Sequence, residues 1–224
     1  MELDLSEINY YFINLEEHTD RKNSILKKLS SLGIAVSRIE RVEGVKAEGI
    51  PQDIVFRGCF ISQLNALKIG RSKGVPFIIL EDDIEINSFK RVIEIPINSQ
   101  CVYLGLSSWG FLPSIYPSLS SLNGIKFNNI NTEISRVFNM LSSHSILYID
   151  MNYVDNLIIE LEKNLEGKEI ISEKEKTGLK YFGGNFLPCD VIMANQQSKG
   201  EVYALRNPIF YQGGKHQYCT LFQI

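Results

Sequence analysis

The chain has 224 residues, 44% of them hydrophobic and 22% charged, with a net charge of −3 at neutral pH. That is enough apolar material for one substantial core and gives no global basic footprint of the kind that holds nucleic acid nonspecifically, although a local basic groove stays open. No uninterrupted apolar stretch approaches the roughly 18 residues of a membrane-spanning helix, and the first residues lack the positive and apolar regions of a signal peptide. A soluble, cytoplasmic protein is expected, in the host cytoplasm if the chain is viral. Cys59, Cys101, Cys189 and Cys219 are widely spaced with no C-x-x-C pair, which argues against a zinc knuckle or a disulfide scaffold and reads as buried thiols.

In chain order, residues 8–15 are rich in aromatic and β-branched side chains and predict a strand. A helix follows, with Ile25, Leu26, Leu29 and Leu32 on one stripe and Gly33 as its stop. Residues 36–42 alternate imperfectly and read as a short strand, followed by a loop holding Gly44, Gly49 and Pro51. A second helix spans about 58–73, aligning Phe60, Leu64 and Leu67 before Gly74. It leads into the apolar run 77–80, which stops at Glu81, Asp82 and Asp83. Beyond this the pattern loosens. A strand is read at 101–106, a Gly, Pro, Ser and Asn-rich loop at 107–131 placed to cover a site, a strand at 146–149 and a helix at 152–163. The Glu and Lys-rich stretch 165–180 reads as solvated and is given no function.

The strand–helix–strand–helix–strand order predicts an α/β fold, a Rossmann-type, mostly parallel sheet flanked by helices, with a less regular C-terminal half. Ligands of such sheets bind beyond the carboxyl ends of the strands, which puts residues 14–17 and the three acids on one rim. There is no phosphate-loop motif and no G-x-G-x-x-G after the first strand, so neither a nucleoside-triphosphatase nor a nicotinamide dehydrogenase is indicated. Three adjacent carboxylates at a strand end suit either a solvated turn or a divalent cation held by oxygen ligands. A buried strand before them shifts the balance to the cation. Strand alternation puts Glu81 and Asp83 on one face and Asp82 on the other.

Several segments together resemble glycosyltransferase family 25: Phe12-Ile-Asn-Leu-Glu-Glu-His-Thr-Asp-Arg-Lys, Leu32-Gly-Ile with Arg41-Val-Glu-Gly-Val, Gly58-Cys-Phe-Ile-Ser-Gln-Leu-Asn-Ala-Leu-Lys, and Ile79-Leu-Glu-Asp-Asp-Ile. Weaker matches follow at Ser143-His-Ser-Ile-Leu-Tyr-Ile, Pro188-Cys-Asp-Val-Ile, Val202-Tyr-Ala-Leu and Pro208-Ile-Phe-Tyr-Gln. The family includes bacterial lipooligosaccharide and collagen galactosyltransferases. The resemblance implies a GT-A-like fold in one glycosyltransferase domain, with about 1–106 binding the nucleotide sugar and about 107–224 the acceptor. It further implies a divalent metal, Mn²⁺ or Mg²⁺, and transfer of a hexose such as galactose or glucose from a UDP-sugar donor to a hydroxyl with inversion. The expected acceptor is a glycan such as lipooligosaccharide.

On that reading the metal falls to Asp83 first, then Glu81, with His216 as an extra ligand whose alternative is an exposed tail histidine. Asp82 is read as a ribose or structural contact. Asn14, Leu15 and Arg21 would cradle the nucleotide, Arg21 having a surface pair with Asp20 or Glu17 as its alternative. Ser62 and Asn65, one turn apart, are read as lining the donor pocket, and Lys215 as balancing the diphosphate. Position 63 departs from the family pattern, which often has His where this chain has Gln63. Asp190 is the candidate base that deprotonates the acceptor, or else the N-cap of a helix starting at Val191. His144 reads as an interior histidine, His18 is given no role, and Trp109 either stacks on a sugar or plugs the loop. Two other functions stay open: a noncatalytic nucleotide-sugar-binding module, and a viral or phage enzyme glycosylating hydroxymethylated DNA bases, in which nucleic acid is the acceptor. A nucleotidyltransferase would use similar acids, but the blocks favour sugar transfer.

Overall fold

The structure, a computed structural model, describes residues 1–46, 51–107, 125–165 and 188–213, and within the second stretch the side chains from residue 57 onward. An eight-stranded sheet forms its centre. Strand β2 (Asn9–Asn14) lies between β3 (Ile39–Glu43) and β4 (Phe77–Glu81), both parallel to it. The sheet continues through β10 (Ser145–Tyr148), β7 (Cys101–Tyr103), β11 (Val202–Leu205), β9 (Ile134–Val137) and β8 (Phe127–Asn129). Only β9 and β10 run against the others. The fold is α/β with a mixed sheet flanked by helices, and its first three strands are parallel as their crossover helices require.

The period-2 alternation of buried strands sorts the core into two layers. Tyr11, Phe77, Ile79, Tyr103 and Tyr148 face α2 (Pro51–Ser72), α3 (Met151–Leu165) and α4 (Cys189–Gln197). Tyr10, Phe12, Ile78, Leu80 and Val102 face the other way, onto Ile25 and Leu29 of α1 (Thr19–Ser31). Phe77 is fully buried, stacked on Tyr148 at 5.2 Å and edge-on to Tyr11 at 5.9 Å. Helix α2 lies so close that a Cβ at Gly70 would come within 2.4 Å of the Phe77 ring. Two small antiparallel pairs flank the sheet: β1 (Glu2–Asp4) with β6 (Val92–Glu94), and β5 (Ile84–Ile86) with β12 (Phe210–Gln212).

Helix α1 stops as read from the sequence, with Gly33 at φ +80° donating its N–H to the Ser30 carbonyl. The strand expected at 36–42 is split. Val36–Arg38 is a 3-10 turn in which Val36 stays 71% exposed, and β3 begins only at Ile39. Helix α2 begins earlier than expected, at Pro51, the residue type favoured at a first helical position. The predicted strand at 101–106 ends at Tyr103, and the predicted 107–131 loop contains β8. Cys101 and Cys189 are buried, whereas Cys59 is exposed, a correction to the reading of the thiols as buried; Cys219 lies outside the described residues.

Candidate functional site

The carboxyl ends of β2 and β4 open into a cleft of about 410 Å³. Asn14 and Leu15 form one wall, Gly44 to Lys46 a second, the start of α2 at Gly58, Cys59, Ser62 and Gln63 a third, and the three acids the floor. Its apolar patches come from Ile13, Leu15 and Val45, its cationic side chains from Arg21 and Lys46, and His18 adds an imidazole.

The acids divide as strand parity predicts, even though β4 ends at Glu81 and the next two residues form a turn. Asp82 turns toward β2: its Oδ2 accepts from Asn14 Nδ2 at 2.7 Å, its Oδ1 from Arg21 Nη1 at 3.2 Å, and His18 Nδ1 lies 4.0 Å from Oδ2. Arg21 therefore pairs with Asp82, and Glu17 pairs with Lys46, so the alternative reading of Arg21, a surface pair with Asp20 or Glu17, is corrected to a pair with Asp82. Asn14 is 1% exposed, and its Nδ2 also donates to the His18 carbonyl at 3.0 Å. Both partners of that nitrogen are acceptors, which fixes the amide orientation and leaves Oδ1 buried with no partner among the described residues.

Glu81 and Asp83 face each other on the opposite side. Glu81 Oε1 accepts from Ser143 Oγ at 2.7 Å and Gln63 Nε2 at 3.3 Å. A single nitrogen, Gln212 Nε2, reaches Glu81 Oε2 at 3.4 Å and Asp83 Oδ2 at 3.2 Å. Topology assembles this cluster. Because β10 runs antiparallel to β4, its leading residues return to the carboxyl end of β4, where the Glu81 N–H donates to the His144 carbonyl. Because β12 pairs with β5 in the register Gln212↔Ile84, Gln212 arrives beside the acids. Burial pushes the Glu81 carboxyl up to about 7; the Ser143 hydrogen bond pulls it down, and the charges of Asp83 and Asp190 push it further up.

Asp190 sits in the first turn of α4, which starts at Cys189 with Pro188 at the N-cap, so the alternative of Asp190 as N-cap is corrected. Burial raises its carboxyl to about 6 against the backbone N–H groups of Val191 and Asp190, which lower it. It stands near enough to Glu81 for their charges to repel, but is not among the residues lining the cleft. Ser62 lines the cleft with its hydroxyl committed, donating to the Gly58 carbonyl and accepting the Val45 N–H at 2.8 Å. Asn65 is not among the lining residues. Lys215, His216 and Trp109 lie outside the described residues. His144 is interior, its Nδ1 3.0 Å from Ser142 Oγ. Sequence reading missed Gln212, Ser143 and His18. The first two come from elements remote in sequence, and the only local signal for His18 was its place at the helix entry.

Among the described residues, no three His, Cys, Asp or Glu side chains are grouped to hold a metal ion. Glu81 Oε2 and Asp83 Oδ2 nonetheless both accept from one nitrogen, Gln212 Nε2. Two carboxylates with the remaining positions filled by water and phosphate oxygens suit Mg²⁺ or Mn²⁺. The residues present therefore fit a hard divalent cation.

The fold and site define an α/β protein with an acid-floored, cation-rimmed cleft at the carboxyl ends of parallel strands. No protein-family model matches the chain, and no curated protein matches it. Among solved structures it is similar to a glycosyltransferase involved in the glycosylation of the major capsid of PBCV-1, with 10% identity over 93% of each chain and a TM-score of 0.46. The family 25 resemblance rests on the sequence blocks alone. No helix among the described residues is long and apolar enough to cross a membrane.

Proposed function

We propose that this chain is a glycosyltransferase that moves a hexose from a UDP-sugar to an acceptor hydroxyl, with a divalent cation held by Glu81 and Asp83. The observation that carries the reading is that Glu81 Oε2 and Asp83 Oδ2 share one donor at the carboxyl end of a buried parallel strand, in a cleft that also holds Arg21 and Lys46. When bound, the cation would supply positive charge against the diphosphate that leaves as the glycosidic bond breaks. The chain's own residues do the rest. Asn14 and Arg21 fix Asp82, which sets the β2 rim where the nucleoside would lie. Ser143 and Gln63 hold Glu81 Oε1, so that Oε2 faces Asp83. Asp190, a raised carboxyl close to Glu81, is the candidate acceptor base. His216, which lies outside the described residues, is proposed as an additional ligand on the family resemblance alone. The family resemblance supports a glycan acceptor such as lipooligosaccharide and inversion at the sugar.

A hydrolysis and transfer screen of UDP, GDP and CMP sugars with Mn²⁺, comparing wild type with Asp83→Ala, tests this. The expected result is Mn²⁺-dependent turnover of a UDP-sugar that falls at least a hundredfold in the variant. Full metal-dependent turnover by Asp83→Ala would overturn the ligand assignment. UDP binding with no turnover of any donor would leave a nucleotide-sugar-binding module.

A further inference from the structure

Gln212 reaches the acids from the far end of the described chain, and its position is tightly set. The β12–β5 pairing fixes its register, and Gly213 follows with its N–H on the Asp83 carbonyl, so close that a Cβ there would lie 2.9 Å from that oxygen. An amide group between two carboxylates faces them with its nitrogen, since only the N–H groups can donate. Glu81 Oε1 is meanwhile held by Ser143 and Gln63, and the Gln63 amide, fully buried, is oriented by its two acceptors, Glu81 and the Ser143 carbonyl. Gln63 Oε1 is left without a partner among the described residues, a buried acceptor in the same wall of the cleft. Oε2 is the Glu81 oxygen turned to Asp83, and the Gln212 amide hydrogens occupy the space between them.

A cation bound to those two oxygens at roughly 2.0–2.2 Å has to stand where these hydrogens stand. We propose that Gln212 competes with the divalent cation: its amide holds Glu81 and Asp83 in the cation-free protein and must swing aside before both carboxylates can coordinate. The proposal rests on the reading of Glu81 and Asp83 as cation ligands. Gln212 thereby sets the cation affinity of the cleft without being a ligand itself.

Mn²⁺ titrated calorimetrically into wild type, Gln212→Leu, Gln212→Asn and Asp83→Asn, without any sugar nucleotide, tests the two statements separately. Both Gln212 variants should bind Mn²⁺ about tenfold more tightly than wild type. That factor is at the low end for hydrogen bonds to charged groups because both contacts are long. Asp83→Asn should lose binding. Unchanged affinity in the Gln212 variants would overturn the competition, and so would weaker affinity, which would make the amide oxygen a ligand. If wild type and Asp83→Asn bind Mn²⁺ equally, or neither binds, the cation reading itself fails and the competition falls with it. Should the leucine variant not fold, the shorter amide of Gln212→Asn decides, since it keeps a polar group on β12 but draws it back from the acids.

Discussion

Replacing Glu81 by Gln should make the protein less sensitive to pH between 4.5 and 7 and more stable at pH 8. The Glu81 carboxyl is raised from 4.5 to about 7, first by burial and then by Asp83 and Asp190. Below pH 4.5 it is neutral in both folded and unfolded chains. Between 4.5 and 7 the unfolded chain has released the proton while the folded one keeps it, so stability falls as pH rises. Above 7 both are ionised and the folded state bears the whole cost. At 1.36 kcal/mol for each tenfold, that cost approaches about 3 kcal/mol, a ceiling because water partly reaches the carboxyl. Glutamine keeps an oxygen for Ser143 and offers a donor toward Asp83. Urea denaturation at pH 5 and pH 8 measures the effect: wild type should lose about 2–3 kcal/mol more than the variant between the two. Asp190, raised to about 6, titrates in both proteins, and its repulsion with Glu81, present only in wild type, adds to the difference in the same direction. Equal losses in wild type and variant would refute the reasoning.

Asn14→Ala removes the donor shared by Asp82 and the His18 carbonyl and should cost about 2 kcal/mol in urea denaturation, while Asn14→Asp should cost more by facing Asp82 with a like charge. At Gly105 a Cβ would lie 2.0 Å from His144 Nε2. Gly105→Ala should therefore cost about 2–3 kcal/mol, most of it recovered in a double-mutant cycle with His144→Ala. Arg71 joins α2 to α3 through two 2.7 Å bonds to Asp155; both charged groups are open to solvent, so Arg71→Lys should lower the urea midpoint only slightly, and less still in high salt. Calorimetry should find UDP bound no more tightly than uridine without Mn²⁺ and at least tenfold more tightly with it.

The first half of the fold was legible because its signals are local. Residues 77–80 are a continuous apolar run, Ile25 and Leu29 recur at helical spacing, and Gly33 and Gly74 adopt the positive φ that ends their helices. Parity correctly separated Asp82 from Glu81 and Asp83. The second half was not legible in the same way. Strands β8, β9, β11 and β12 have three or four residues each, too few for a period to register, and the insertion of β10 between β4 and β7 is a long-range choice. Ser143 meets Glu81 across 62 residues and Gln212 meets it across 131, and neither contact leaves a trace in its own neighbourhood. Asp190 was displaced for a simpler reason. Pro188, extended at ψ 151°, takes the N-cap, and the helix begins one residue before Asp190.

On the proposed function, the ion pairs around the cleft give a reason why a diphosphate there would call for a cation. Of the cationic side chains lining it, Arg21 pairs with Asp82 and Lys46 pairs with Glu17. Positive charge on this rim is already matched by carboxylates. A diphosphate entering on its own would have to displace an acid from its partner and would face the Glu81 and Asp83 charges as well. Glu81, by contrast, takes its hydrogen bonds from Ser143, Gln63 and Gln212, all neutral donors. Neutral donors tolerate the carboxylate without cancelling its charge, which is why burial still raises it. A divalent ion between Glu81 and Asp83 would cancel that charge and present a positive face to phosphate in one step. The buried strand and the turn that follows it bring Glu81 and Asp83 to one side and Asp82 to the other, where Arg21 is already taken up by Asp82.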